Sequence, residues 1–496
     1  MANRKTKKKV ARKSLTAGKN RKTKTKPANK TPRKRAATKS KKKPTAAQPA
    51  SASQANNESL RVKIRMYRQG LGDCFLLTIP RKTGKPFYVV IDCGVILGTK
   101  NAGDIMSQVV QHIIETTGGH IQLLAATHEH WDHISGFGQA RELWSDKGKL
   151  TIDEVWLSWA ENPKDPLAQK LRGERQALRL TLQTAAARMA LSGNPESADE
   201  ISGLLSFFGA SAGSTSDALE VVRGLSENLR YCKPQDNPVK LPETDVTVYA
   251  LGPPPDEKLI KKYNPSKKEP ETYGINAMNQ YLEAITPALM SSDLDAPFDE
   301  KFQIPLPAGQ QMAFFQRYYW GEDVDSKEKN QSWRRIDGSW LDSSSALALQ
   351  LDSATNNTCL VLAFELGDGD VLLFAADAQV GNWLSWQDLS WTVNGKAVTG
   401  PDLLSRTIFY KVGHHGSHNA TLREKGLEEM KSLKLAFVPV DHDMAVKKRW
   451  NKMPLSELMD RLNQITNQCV VRIDEEVPVN LKKNVASEKL FHEVVL

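Results

Sequence analysis

The rhythm of hydrophobic positions changes abruptly near residue 60. Short runs rich in β-branched and aromatic residues at Val62–Tyr67, Cys74–Ile79 and Phe87–Ile91 predict three strands, with Thr83-Gly84-Lys85 joining the last two as a hairpin. Ile105, Val109, Ile113 and Ile114 share one face of a helix over Ile105–Glu115. Ile121–Ala126 is apolar but for Gln122, as a strand covered on both faces requires, and Thr151–Trp159 predicts another. Leu167–Leu191, Ala198–Phe208 and Asp217–Leu229 read as helices broken by Gly and Ser. Asp245–Leu251 returns to strand and stops at Gly252-Pro253-Pro254-Pro255. Residues 257–343 are polar and irregular, with aromatic clusters at Phe314-Phe315 and Tyr318-Tyr319-Trp320. Strands are expected again at Ala346–Leu351, Cys359–Leu366, Val371–Ala375, Thr407–Val412 and Leu433–Val440. Pro454–Ile465 predicts a helix with Leu455, Leu458, Met459, Leu462 and Ile465 inward, and Cys469–Ile473 a closing strand. This order is α/β.

Charge divides the chain. It has 68 Lys+Arg against 57 Asp+Glu, a formal +11. Residues 1–50 hold 15 Lys and 5 Arg and no acid, because the first carboxylate is Glu58. The remainder carries 48 basic against 57 acidic residues, a net of −9. Residues 1–58 therefore read as a disordered basic tail, similar to those of linker histones, ahead of one domain over 59–496 with insertions at about 162–240 and 257–343. Lys7, Lys8, Lys9, Arg33, Lys34, Arg35, Lys41, Lys42 and Lys43 are its candidate contacts to nucleic acid or another polyanion. Pro32-Arg33-Lys34-Arg35 also has the composition of a nuclear address. No apolar run approaches the roughly 18–20 residues that cross a bilayer, so no membrane is expected. Five scattered cysteines without a CxxC pair fit a reducing compartment, cytoplasmic or nuclear, where the protein would sit with the nucleoid or in the nucleus.

The informative stretch is Thr127-His128-Glu129-His130-Trp131-Asp132-His133, directly after the apolar strand Ile121–Ala126. His128 and His130, two apart, project to the same side of an extended backbone. Asp132 and His133 follow where the chain should turn into a helix, so all four can converge on one volume. Imidazole and carboxylate donors suit Zn²⁺ and also accept Mn²⁺ or Fe²⁺. A bound ion of this kind activates water as a hydroxide nucleophile at neutral pH. Hydrolysis is the expected chemistry, since no P-loop and no placed dinucleotide fingerprint occurs.

This pattern resembles the HxHxDH signature of the metallo-β-lactamase superfamily. Asp92 in Ile91-Asp92-Cys93-Gly94 and Asp377, closing Leu372–Asp377, are similar to the family's other acidic positions, with Ala376 where a glycine is usual. His414-His415-Gly416-Ser417 is similar to the HHGS of the nuclease-like domain of the DNA-uptake protein ComEC. Gly70–Cys74 and Asn356–Leu360 look like two shorter elements of that subgroup. The resemblance covers roughly residues 60–160 and 345–475. It implies a four-layer αβ/βα sandwich with helical and irregular insertions. It further implies that His128 and His130 hold one ion, that Asp132, His133 and His415 hold a second, and that Asp377 bridges both. His414 and His418 compete with His415 for the late position. Asp92 would orient a ligating histidine. One departure stands out: no histidine occurs between His133 and His414, so the first ion lacks a usual ligand. Water, substrate or the Asn356 amide would complete it, and the expectation is one ion or two, with one favoured.

Asp132, Asp377 and His415 are the candidate catalytic residues. Ser417, His418, His442, Lys448 and Arg449 are candidate contacts to substrate phosphate. Ser417 reads equally as a helix N-cap, and His442 as a surface or capping residue. The leading expectation is a phosphodiesterase or nuclease with a polyanion-binding tail. The alternatives are a hydrolase of a small phosphorylated or acyl substrate, and a non-catalytic polyanion-binding module with a vestigial metal site.

Overall fold

The computed structural model describes residues 61–496 apart from 192–194, 206–208, 211–212, 264, 267–271, 273–303, 305, 321–350 and 449. All of them belong to one unit, Ser53–Leu496. Two large mixed sheets organise it. The first has eight strands in the order Val485–Ser487, Phe491–Val495, Lys63–Tyr67, Cys74–Ile79, Phe87–Cys93, His120–Ala126, Thr151–Ser158 and Leu229–Cys232. The second has seven, in the order Val470–Arg472, Leu435–Val438, Thr407–Lys411, Val371–Phe374, Val361–Glu365, Thr247–Gly252 and Val239–Lys240. Each sheet pairs parallel strands on one side with antiparallel strands on the other.

Strand alternation sorts the side chains into layers. Phe75, Leu77, Val89 and Ile91 of the first sheet meet Leu362, Phe364, Leu372 and Phe374 of the second in one buried cluster. Phe75 and Phe374 pack edge to face with ring centres 5.6 Å apart. The opposite faces carry helices. Leu76, Val90 and Leu124 meet the helix Ala102–Thr117, and Leu373 and Tyr410 meet the helices of the other side. The architecture is helix, sheet, sheet, helix, with both faces of each sheet covered, which explains why Ile121–Ala126 is apolar but for Gln122, whose Oε1 accepts from the Tyr88 amide.

The strand and helix expectations mostly correspond to elements found, and the exceptions are informative. The helix Ala102–Thr117 buries Met106, Val109, Val110, Ile113 and Ile114, so its face is rotated and Ile105 is only half-buried. Leu351, expected at the end of a strand, lies in a helical segment over 351–356. Its carbonyl accepts the Thr355 hydroxyl one turn later, and both residues are buried. The rest of Ala346–Leu351 lies outside the described residues. Cys469–Ile473 does not close the fold. A further hairpin, Val485–Ser487 with Phe491–Val495, returns to the first sheet and pairs with Lys63–Tyr67. The helix expected to end at Leu229 ends at Arg223, and Leu229–Cys232 is instead an edge strand parallel to Thr151–Ser158. No helix among the described residues is long and apolar enough to cross a membrane.

Candidate metal centre

The site forms where parallel strands of both sheets end. His120–Ala126 runs into the short segment Thr127–His130, which bends at Glu129, and the helix Trp131–Gln139 begins at once, with extended His130 as its N-cap. Asp132 and His133 therefore occupy the first helical turn and point back toward His128 and His130. All four are buried. The turn is packed so tightly that Gly94 is obligatory: a Cβ there would lie 2.3 Å from the Asp132 carbonyl carbon. The Asp73 N–H donates to the Asp132 carbonyl at 3.0 Å, which fixes the helix start against the Gly70–Cys74 loop.

The second sheet contributes Asp377, just beyond Val371–Phe374, and a tight turn over Gly413–Gly416 after Thr407–Lys411. Ala376, His414 and His415 all hold positive φ, at 46°, 41° and 52°, a conformation that carries steric strain in residues other than glycine. The backbone is held there by His414 N–H, which donates to Ala376 O at 3.0 Å and lies 3.1 Å from Asp377 Oδ1. With Asp92, at φ 56°, four strained residues meet at one site, a geometry kept for what it positions.

Three groups of ligand atoms result. Asp132, His133, Asp377 and His415 form one, and His128, His130 and Asp377 the second, each with ligand atoms within 4.8 Å of one another. Asp73, Asp92 and His133 form a third. His133 Nε2 faces Asp377 Oδ2 at 3.2 Å without the alignment of a hydrogen bond. His128 Nε2 and Asp132 Oδ1 are likewise buried with no hydrogen-bond partner. Buried polar atoms are ordinarily satisfied, so this concentration of bare lone pairs on metal-binding residue types fits a divalent cation. The surrounding bonds also select the right ring nitrogens. His133 Nδ1 donates to Asp92 Oδ2 at 2.8 Å and His415 Nδ1 to Pro439 O at 2.8 Å, which turns both Nε2 atoms inward. Thr127 Oγ1 donates to Asp92 Oδ2 and so accepts from His128 Nδ1, freeing the third Nε2.

Electrostatics divides the imidazoles in two. Burial, reinforced by its histidine neighbours, holds His128 well below its ordinary pKa, and burial brings His130 to about 3. Both are neutral and need lose no proton to bind an ion. Burial also acts against His133 and His415, but Asp377 and the neighbouring carboxylates push both upward. Burial would raise Asp377, yet His133, His415 and His414 keep it well below the usual carboxylate range. Without an ion, protonated imidazoles supply positive charge that a cation would otherwise provide.

Of the late histidines, His415 is the one that joins Asp132, with Nε2 2.9 Å from Asp132 Oδ2. His414 Nε2 lies 3.9 Å from Asp377 Oδ2 and 3.4 Å from Asn356 Nδ2, while burial lowers its pKa to about 4. His418 lies outside the three groups. The Ser417 hydroxyl donates to Asn419 Oδ1 and no helix follows it, so it is no N-cap. His442 begins the helix His442–Lys447, which Asp441 caps, and its Nδ1 donates to Met453 O at 2.8 Å. Lys448 leans over Gly98, in the loop that follows Phe87–Cys93. Arg449 and the tail residues Lys7, Lys8, Lys9, Arg33, Lys34, Arg35, Lys41, Lys42 and Lys43 lie outside the described residues.

Three participants escape the motif reading. Lys411, fully buried, pairs with Asp73 Oδ2 at 2.5 Å, donates to Ala376 O and stands 3.5 Å from Asp377 Oδ1. A lysine closing the otherwise apolar run Thr407–Val412 was the available signal. Arg175 reaches from the helix Pro166–Leu191 to Glu129, the residue between the two histidines, at 3.1 Å. Asp352 lies 3.9 Å from His130. No protein-family model matches the chain, and no curated protein matches it in sequence.

Proposed function

We propose that this protein is a metal-dependent hydrolase of the metallo-β-lactamase fold whose substrate is a phosphodiester, in the manner of a nuclease. The observation that carries the reading is the pair of adjoining buried ligand groups sharing Asp377, each with lone pairs that no protein donor satisfies. The helix–sheet–sheet–helix layering, with the ligands at the strand ends, agrees with it. A divalent ion, with Zn²⁺ the best match to the donor set, would lower the pKa of bound water from about 15.7 to about 7 and stabilise charge on a phosphoryl oxygen.

The chain's own residues prepare that chemistry. Asp92 fixes the ring orientation of His133 directly and of His128 through Thr127. Asp132 meets His415 through Oδ2 and keeps Oδ1 free of hydrogen bonds, so that oxygen is placed to accept a proton from an attacking water. Lys411 stands beside Asp377 Oδ1, which leaves Oδ2 as the atom turned into the site. The ComEC-like motifs and the +20 tail support a phosphodiester over an acyl substrate, because both fit a polyanion.

The test is metal analysis of the purified chain, followed by hydrolysis assays on bis(p-nitrophenyl)phosphate, single-stranded DNA, duplex DNA and RNA. We expect bound metal, turnover of the diesters and loss of turnover on chelation. The double variant His128→Ala, Asp132→Ala should lose at least about a thousandfold in rate. Unchanged activity in that variant would sink the metallohydrolase reading. Turnover confined to a small phosphomonoester or an ester would replace the substrate class and keep the metal chemistry.

A further inference from the structure

The two ligand groups are unequal. Asp132, His133, Asp377 and His415 offer four donors, whereas His128, His130 and the shared Asp377 offer three. Asp352 stands beside His130 of the poorer group, outside the set whose ligand atoms all lie within 4.8 Å of one another. It lies in the helical segment 351–356, ahead of the strand Val361–Glu365, and only 5% of its surface is exposed. Asn356, one turn later, donates through Nδ2 to Asp352 Oδ2 at 3.1 Å. The other oxygen, Oδ1, has no hydrogen-bond partner and lies 3.9 Å from His130 Nε2. Two donors that each sit about 2.0–2.2 Å from one ion lie at most ~4.4 Å apart, so this pair can share one.

Charge points the same way. Asp73, Asp92, Asp132, Asp352 and Asp377 are all buried around this volume. Lys411 supplies an ammonium, and it is already engaged by Asp73. The charged groups facing Asp352 include Asp132 and Asp377, both negative. Five carboxylates outnumber the one ammonium in a space from which water is excluded, an excess that protonated His133 and His415 offset only in part and that bound cations would relieve.

We propose that Asp352 is a metal ligand, completing with His128, His130 and Asp377 the site of a second divalent ion. The inference rests on the metallohydrolase reading and adds to it both the ligand and the number of ions. Asn356 then acts as a positioning residue, holding Oδ2 so that Oδ1 is presented.

The test is binding rather than turnover. The full chain, stripped with a chelator, is titrated with Zn²⁺ and with Co²⁺ by equilibrium dialysis with elemental analysis, and the visible Co²⁺ spectrum is recorded. Wild type should take up two equivalents. Asp352→Ala and Asp352→Asn should keep one and weaken the other at least tenfold, with loss of part of the Co²⁺ absorption. Asp352→His, which restores a donor, should bring the second equivalent back. Circular dichroism of the metal-free variants checks folding, and Asp352→Asn keeps the side-chain shape should the alanine variant fail to fold. Two equivalents at wild-type affinity in Asp352→Asn would overturn the assignment. So would one equivalent bound alike by wild type and variant. No uptake by wild type would instead overturn the metallohydrolase reading itself.

Discussion

Asp92 has no place among the inward-facing donors, yet more of the site depends on it than on any one of them. Its carboxylate accepts from the Thr127 amide at 2.7 Å, from the Thr127 hydroxyl at 2.8 Å and from His133 Nδ1 at 2.8 Å. Through the hydroxyl it also sets the tautomer of His128. One acid thus aims an imidazole in each ligand group. Asp92→Ala should weaken Zn²⁺ binding about 10–100-fold while every inward-facing donor remains, measured by competition with a chromophoric chelator. Wild-type affinity in that variant would refute its orienting role. At this scale the sequence was legible where chemistry is local. His128, His130, Asp132 and His133 lie within six residues, so backbone geometry alone brings them together. Asp352 and Lys411 reach the same volume from distant segments, and residue type could not reveal that each would be buried beside a carboxylate or an imidazole.

Elements explain how an insertion acts on the centre. Arg175 on the helix Pro166–Leu191 is buried, pairs with Glu129 at 3.1 Å, lies 3.6 Å from Glu161 and reaches Thr358 Oγ1 at 3.4 Å. Removing it leaves a buried carboxylate poorly compensated, so Arg175→Ala should cost about 3 kcal/mol in a denaturant titration. Glu161 adds a pH dependence. Burial and then Glu129 push its carboxyl from an ordinary 4.5 up to about 7, against the pull of Arg175, Arg172 and Arg223. The unfolded chain therefore releases this proton first, and the native state loses stability as pH rises from about 4.5 to about 7. Glu161→Gln should remove that decline, giving a gain over wild type on the order of 2–3 kcal/mol at pH 8 that is absent at pH 4, read from urea transitions at both. A gain equal at both pH values would show that Glu161 does not titrate in this window. The helix itself was legible from its length and composition. Its docking was not, because a salt bridge between Arg175 and Glu129 depends on tertiary placement that periodicity does not encode. The same holds for the closing hairpin Val485–Ser487 with Phe491–Val495, whose short strands carry little pattern before they find Lys63–Tyr67.

On the scale of the whole molecule, alternating strands and helices announced an α/β chain, while the division into two sheets emerged only from which faces pack together. Charge is the other property that exists only at this scale. Residues 1–50 carry +20 and the remainder −9, so a polyanion is attracted by one part of the chain and repelled by most of the other. Under the proposed function, attraction at the metal centre would then come from bound cations and not from the surface. The two contributions should separate. Deleting residues 1–58 should abolish most DNA attachment, measured by fluorescence anisotropy, and leave turnover of bis(p-nitrophenyl)phosphate within about twofold, because that small diester needs only the metal centre. In the full chain the logarithm of the DNA affinity should fall against the logarithm of salt with a slope of about −0.9 per phosphate neutralised on a duplex, and the deletion should flatten it. Loss of small-diester turnover on deletion would show that residues 1–58 serve the chemistry itself. An unchanged salt slope would place the polyanion contact on the body, where Lys448 beside Gly98 is the first residue to substitute.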